Sequence, residues 1–315
     1  MAEIGTDIQK AITLLQEGEV IGMPTETVYG LAGNAIDGRA VARIFAVKNR
    51  PAFDPLIVHV PDLETARQYV ENIPEKAEAL ANRFWPGPLT LVLKKKPIIP
   101  DLVTSGMDTV GIRCPGHALT HRLLKALPFP LAAPSANPFG YVSPTKAQHV
   151  NEQLGDSIPY ILDGGECNVG IESTIIGIEE EQVIVYRLGG LTLEKIESVI
   201  GKVILQSHST SNPKAPGQLI SHYAPSRKVL LGNIPALMQQ YDEDISAILS
   251  FSHDYGVRNQ IILSPTGSIE EAAKNLFAAL RRLDKMNINF ILAELAPDEG
   301  LGRAINDRLR RASSS

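Results

Sequence analysis

Apolar positions recur along the chain with two periods, one helical and one alternating. Between Asp7 and Glu17, the residues Ile8, Ala11, Ile12, Leu14 and Leu15 form one helical stripe, and Asp7 stands where a cap belongs. Glu19 to Met23 is a short apolar run closed by Pro24, the pattern of a strand. Residues 39–47, 64–72 and 74–84 predict further helices. Residues 55–60, 89–94, 110–113, 131–133, 173–178 and 183–188 predict strands. Interleaving of this kind indicates an α/β fold built on a twisted sheet of mixed direction.

The pattern stops at residue 206. The stretch 206–217 is polar, carries two prolines and lacks large apolar side chains apart from its flanks, which makes it a linker. Behind it a second α/β pattern appears, with strands at 229–231, 245–251 and 290–293 and a helix at 269–283. The expected organisation is therefore a first domain at 1–205, a linker at 206–227, and a second, smaller Rossmann-like α/β domain at 228–315. The basic run Arg308-Leu-Arg-Arg311 reads most simply as a solvated helix end.

Composition narrows the function classes. With 44% apolar and 21% charged residues, the 315-residue chain has the balance of an ordinary globular protein. Cys114 and Cys167 are its only cysteines, too few for a four-thiolate zinc site, and they suit a reducing compartment. The N-terminus lacks the basic start and apolar block of a signal peptide, and no apolar run reaches the roughly 18 residues of a membrane span. A cytoplasmic protein that uses no membrane is expected. Residues 1–206 carry 18 Lys/Arg against 24 Asp/Glu, a charge of −6, and the remainder carries +1. A general nucleic-acid binder would show a strongly basic domain.

Neither a G-x-x-x-x-G-K-[ST] phosphate loop nor a G-x-G-x-x-G turn is present, so a nucleotide would have to be held another way. Pro24-Thr-Glu-Thr-Val-Tyr-Gly-Leu31 places two hydroxyls around a glutamate. It suits either a ligand site or a strand-to-helix turn with a capping threonine. Lys48 and Arg50, just past a helix and followed by Pro51, suit a phosphate clamp or a solvated helix end. His59, inside an apolar strand, suits a core histidine as well as a ligand contact. Arg113 and Arg187 each end an apolar strand, where α/β sheets place their ligands, and buried arginines there need anionic partners. The loops 133–138 and 140–145 are stiffened by proline and rich in hydroxyls, as a preorganised anion or ribose site requires.

In their order, PTETVYGL, K-x-R-P, PLIVHV, WPGPLT, VGIRCP, APSAN, SPT, DGG, ESTI and YRLG, followed by P-G…HYAP at 216–225, the motifs resemble the YrdC-domain family in its long, two-domain form. The resemblance covers nearly the whole chain and thins after about residue 228. It implies a twisted mixed-sheet catalytic domain with a concave cleft. The implied activity is nucleotidyl transfer. L-Threonine, bicarbonate and ATP condense to threonylcarbamoyl-adenylate and pyrophosphate, and a tRNA-modifying transferase complex then uses the product on the adenosine beside the anticodon.

By the resemblance, Thr27, His59, Arg113 and Ser173 hold threonine. Lys48, Arg50, Asp54, Thr109, Ser135, Ser143, Arg187 and Tyr223 hold ATP, with His222 beside Tyr223, and Mg2+ accompanies the triphosphate. No side chain serves as a nucleophile and no residue is expected as a dedicated metal ligand, so catalysis rests on positioning and electrostatics. Members commonly carry Gly where Asn49 stands and Asn where Asp54 stands. The alternatives are a double-stranded RNA-binding or regulatory module that retains the fold, with weak RNA contact, and a zinc-finger maturation factor. The two cysteines, 53 residues apart, speak against the last.

Overall fold

The structure, a computed structural model, describes residues 1–206 and 223–314. Eleven strands form one sheet: β1 (Glu3–Gly5), β2 (Ile21–Met23), β3 (Gly30–Asn34), β4 (Ile57–His59), β5 (Leu89–Lys94), β6 (Thr109–Arg113), β7 (Leu131–Ala132), β8 (Tyr160–Leu162), β9 (Thr174–Glu179), β10 (Gln182–Arg187) and β11 (Ile204–Leu205). Their order is β1-β8-β2-β3-β7-β4-β6-β5-β9-β10-β11. Parallel pairs such as β4 with β6 alternate with antiparallel ones such as β5 with β6, as the mixed pattern predicts. A second sheet holds β12 (Lys228–Leu231), β13 (Ser246–Ser250), β14 (Gln260–Ile262) and β15 (Phe290–Ala293) in the order β12-β15-β13-β14, with every pair parallel.

Local chemistry accounts for most element ends. Asp7 caps the first helix, Ile8–Gln16, by accepting from Gln9 N and Lys10 N at 2.9 and 3.2 Å. The helix Gly38–Lys48 ends at Asn49, which adopts the left-handed conformation with φ 49°. Asparagine tolerates that region, so it can stand where relatives of the resembled family carry glycine.

Two expectations for the first domain change. The stretch after Pro24 does not enter a helix: β2 turns back into antiparallel β3, pairing Met23 with Gly30. The helix expected over 64–72 shrinks to one turn, Leu63–Ala66, capped by Asp62.

The large sheet has two distinct faces. One packs under helices in a core that includes Val58, Leu91, Ile112, Ile176 and Val185. The other carries Ile57, Ile175, Ile184 and Tyr186, and is the concave side. The second domain docks through the helix Ile269–Asp284. Arg281 donates to the carbonyls of Ser143 and Val142, Tyr141 donates to Asp284 at 2.6 Å, and Lys285 pairs with Glu152 at 2.7 Å. Gly170 makes the close approach possible, because a Cβ there would stand 2.4 Å from Lys274 Cα.

The final helix, Gly302–Ser313, corrects the reading of 308–311 as a solvated end. Arg308 is 0% exposed and Arg311 3%, both tied to buried carboxylates. No helix among the described residues is long and apolar enough to cross a membrane.

Candidate functional site

Register places the site. Because β4 and β6 run parallel with His59 opposite Arg113, both side chains leave the same face at the strands' carboxyl ends. Antiparallel β5 sets Thr90 against the same Arg113.

Arg187 reaches that face through an irregularity. Simple alternation after Val183 and Val185 would aim it into the helix-covered core. The register between β9 and β10 instead shifts between Val185 and Arg187, so Arg187 pairs with Ile175 of the concave face. A bulge of this kind re-aims a side chain at the cost of one ladder position.

A cleft of about 520 Å³ opens there. It is lined by Thr27, Val28, Arg50, Asp54, Pro55, Ile57, His59, Arg113, Ala133, Pro134, Ser135, Glu172, Ser173, Arg187 and Tyr223. The structure therefore brings together Thr27, His59, Arg113 and Ser173 with Arg50, Asp54, Ser135, Arg187 and Tyr223. His222 lies outside the described residues.

Ser173 is the joint of the two arginines. Its Oγ lies 2.8 Å from Thr90 Oγ1, next to Arg113 in register, and 3.2 Å from Arg187 Nη2. Arg187 also donates to the Ser173 carbonyl from Nε and Nη2, at 3.1 and 2.9 Å. Arg113 donates from Nη2 to Glu26 at 2.7 Å. Arg50 pairs with Asp54 at 2.9 Å and donates to the carbonyls of Asp54 and Pro55. Burial pushes the Asp54 carboxyl up, against the pull of Arg50, Lys48 and Arg187.

Three expected ligand residues stand elsewhere. Lys48 is a correction to the paired phosphate clamp: it is 1% exposed, and its ammonium donates to the carbonyls of Ser135 and Asn137. It holds the Ser135 turn and does not line the cleft. Ser143 is fully buried behind the cleft wall and donates to Glu172 at 2.5 Å. Thr109 opens β6 at the far end from Arg113. It lines the continuation of the concave face with Val92, Met107, Gly177 and Tyr186.

His59 is held neutral. Its Nδ1 lies 3.2 Å from the Ile57 carbonyl, and burial together with Arg113 pushes its pKa down to about 3. An unfolded chain takes up a proton near the ordinary value of about 6.5. The folded chain refuses it, so this group's contribution is full above about pH 6.5 and is lost as pH falls towards about 3. A His59→Gln variant should lose less stability than the parent between pH 7 and pH 5 in urea unfolding. Equal losses would show that His59 does not titrate in this way.

Sequence reasoning passed over Glu26, Thr90, Glu172 and Arg308. The signal for the two glutamates was available: strand-end arginines that are buried demand carboxylates, and Glu26 and Glu172 sit inside the same motifs as Thr27 and Ser173.

Fold and cleft together define an α/β protein whose large sheet carries a cleft lined by three arginines, Arg50, Arg113 and Arg187, backed by a second domain. A family model described as telomere recombination (Sua5–YciO–YrdC) matches residues 13–189, and one described as threonylcarbamoyl-AMP synthase, C-terminal domain, matches 191–314. The threonylcarbamoyl-AMP synthase of Pyrococcus abyssi is 43% identical over 97% of this chain and 94% of its own length. That of Bacillus subtilis is 40% identical over 97% and 92%. The crystal structure of P. abyssi Sua5 complexed with L-threonine superposes with a TM-score of 0.93 at 42% identity, covering 98% of this chain and 94% of that one. The chain belongs to the two-domain threonylcarbamoyl-AMP synthase family.

Proposed function

We propose that this chain condenses L-threonine, bicarbonate and ATP into threonylcarbamoyl-AMP and pyrophosphate. The observation that carries the reading is the pair Arg113 and Arg187, joined through Ser173 and Thr90 on one face of one cleft. One fork suits the carboxylate of an amino acid and the other the phosphates of a nucleotide. The similarity to a protein crystallised with L-threonine supports the first assignment.

The threonine amine adds to CO2 derived from bicarbonate and loses a proton, giving a carbamate. A carbamate oxygen then attacks the α-phosphorus of ATP. The bond from that phosphorus to the bridging oxygen breaks, and pyrophosphate leaves in line. No covalent bond to the protein forms, so the protein contributes orientation and fixed charge. Thr27, His59, Arg113 and Ser173 hold threonine. Arg50, Asp54, Ser135, Arg187 and Tyr223 face the nucleotide, with Thr109 further along the same face. Ser143 acts through Glu172, and Lys48 through the turn that carries Ser135.

Mg2+ would enter with the triphosphate and screen its charge. The described residues contain no cluster of three or more His, Cys, Asp or Glu able to hold a metal. Phosphate and water would therefore supply most of its ligands, and Asp54, with a buried Oδ1 that accepts no hydrogen bond, is the cleft carboxylate placed to add one. The product is a reactive mixed anhydride, suited to direct transfer to a tRNA-modifying transferase complex that acts on the adenosine beside the anticodon.

The test is pyrophosphate release from ATP and Mg2+ with threonine and bicarbonate each omitted in turn. Release should require both. Release indifferent to either one overturns the reading.

A further inference from the structure

Glu172 is a carboxylate on the wall of a cleft read as binding a polyanion, where an uncompensated charge would oppose the ligand. Its direct ion-pair partner among the described residues comes from the other domain. Arg308, on the helix Gly302–Ser313, is fully buried and donates from Nε to Glu172 Oε2 at 2.9 Å. The same guanidinium donates to the Leu188 carbonyl at 2.9 Å and pairs with Asp307 at 2.7 Å. Asp307 is in turn paired with Arg311 at 3.0 Å, and Arg308 is the cation in direct contact with Glu172. The face of Arg308 also lies 4.9 Å from the centre of the Tyr223 ring, which stacks on Phe277 at 5.7 Å. One residue of the C-terminal domain thus neutralises a cleft carboxylate and backs a cleft aromatic.

We infer that Arg308 is a positioning residue for the nucleotide: by neutralising Glu172, it makes the cleft receptive to the phosphates. The inference rests on the proposed function for the identity of the ligand. Buried pairs are expensive to break from one side, because the partner is left charged and unpaired, whereas removing both charges is tolerated far better. Coulomb repulsion from Glu172 would then act on the ligand through a poorly screened interior. A residue with a purely structural role would give a different pattern: its loss would lower affinity for threonine and ATP alike, and removing the Glu172 charge would not help.

The experiment uses the full-length chain and measures ATP binding directly by calorimetry, alongside KM and kcat in threonine-dependent pyrophosphate release. Arg308→Met should weaken ATP on the order of tenfold or more while shifting the KM for threonine much less. Arg308→Lys should recover part of the loss, since it restores charge without the fork. The double variant Glu172→Gln/Arg308→Met should bind ATP within about threefold of Glu172→Gln alone, because the repelling charge is gone. That last comparison also decides the matter if Arg308→Met does not fold. Unchanged ATP binding in a folded Arg308→Met, or a double variant no better than that single variant or well below Glu172→Gln alone, overturns the inference. Selective loss of ATP binding in Arg308→Met, in a protein whose pyrophosphate release ignores threonine, leaves this coupling standing and removes the proposed function instead.

Discussion

Replacing Arg113 with alanine is expected to lower kcat/KM for threonine by on the order of 100- to 1000-fold, with a much smaller change in the KM for ATP. The magnitude follows from removing one partner of a buried, hydrogen-bonded charge contact, which costs about 2–5 kcal/mol. Arg113 is the cleft cation that lies in register with His59 and next to Thr90, and its partner Glu26 is not among the residues that line the cleft. Glu26 has a second buried oxygen, Oε2, that accepts no hydrogen bond, so deleting the arginine strands a carboxylate as well as removing the fork. Stability must therefore be followed alongside kinetics. The Glu26→Gln/Arg113→Ala pair separates the two effects, since stability should return while threonine use does not. Arg113→Lys should recover little, because a point charge does not reproduce two parallel donors on a carboxylate. Threonine kinetics that survive Arg113→Ala would remove this residue from the amino-acid side.

Much of this site was legible because charge in an apolar strand is conspicuous. Arg113 and Arg187 stood out at strand ends, and the rule that ligands gather there pointed to the place where the cleft opens. Strands written as short, largely apolar runs, such as β5 and β15, were equally plain. What stayed hidden depends on register or on distant contacts. β3 is GLAGN, with two glycines and no alternation to betray it. Nothing local shows that Val185 and Arg187 straddle a bulge, yet that shift decides which way Arg187 points. Lys48 followed a helix as a phosphate ligand would, but its neighbours are carbonyls 87 and 89 residues away in sequence. Arg308 looked like an exposed tail charge for the same reason. Its counter-ion is 136 residues upstream, and only the packing of the second domain brings the two together.

Arg187→Ala carries the second large effect: a rise in the KM for ATP on the order of 100-fold. Arg187 differs from Arg113 in that its acceptors among the described residues include a backbone carbonyl held by two nitrogens. Its Nε and Nη2 grip the Ser173 carbonyl, and Nη2 also meets the Ser173 hydroxyl. Two consequences follow from that geometry. Nucleotide binding should suffer most, because Arg187 faces the same cleft as Arg50, Asp54 and Tyr223. Threonine binding should suffer second, by a few-fold, because Ser173 loses the donor that holds its backbone while keeping Thr90 on the other side. Arg187→Lys should separate the two, since a lysine can carry charge to the phosphates but cannot hold the carbonyl from two nitrogens at once. The checking measurement is a full matrix of initial rates with threonine and ATP each varied for Arg187→Ala, Arg187→Lys and the parent. A threonine defect larger than the ATP defect in both variants would reverse the assignment of the two arginines. The cleft would then hold the amino acid against β10 and the nucleotide against β6.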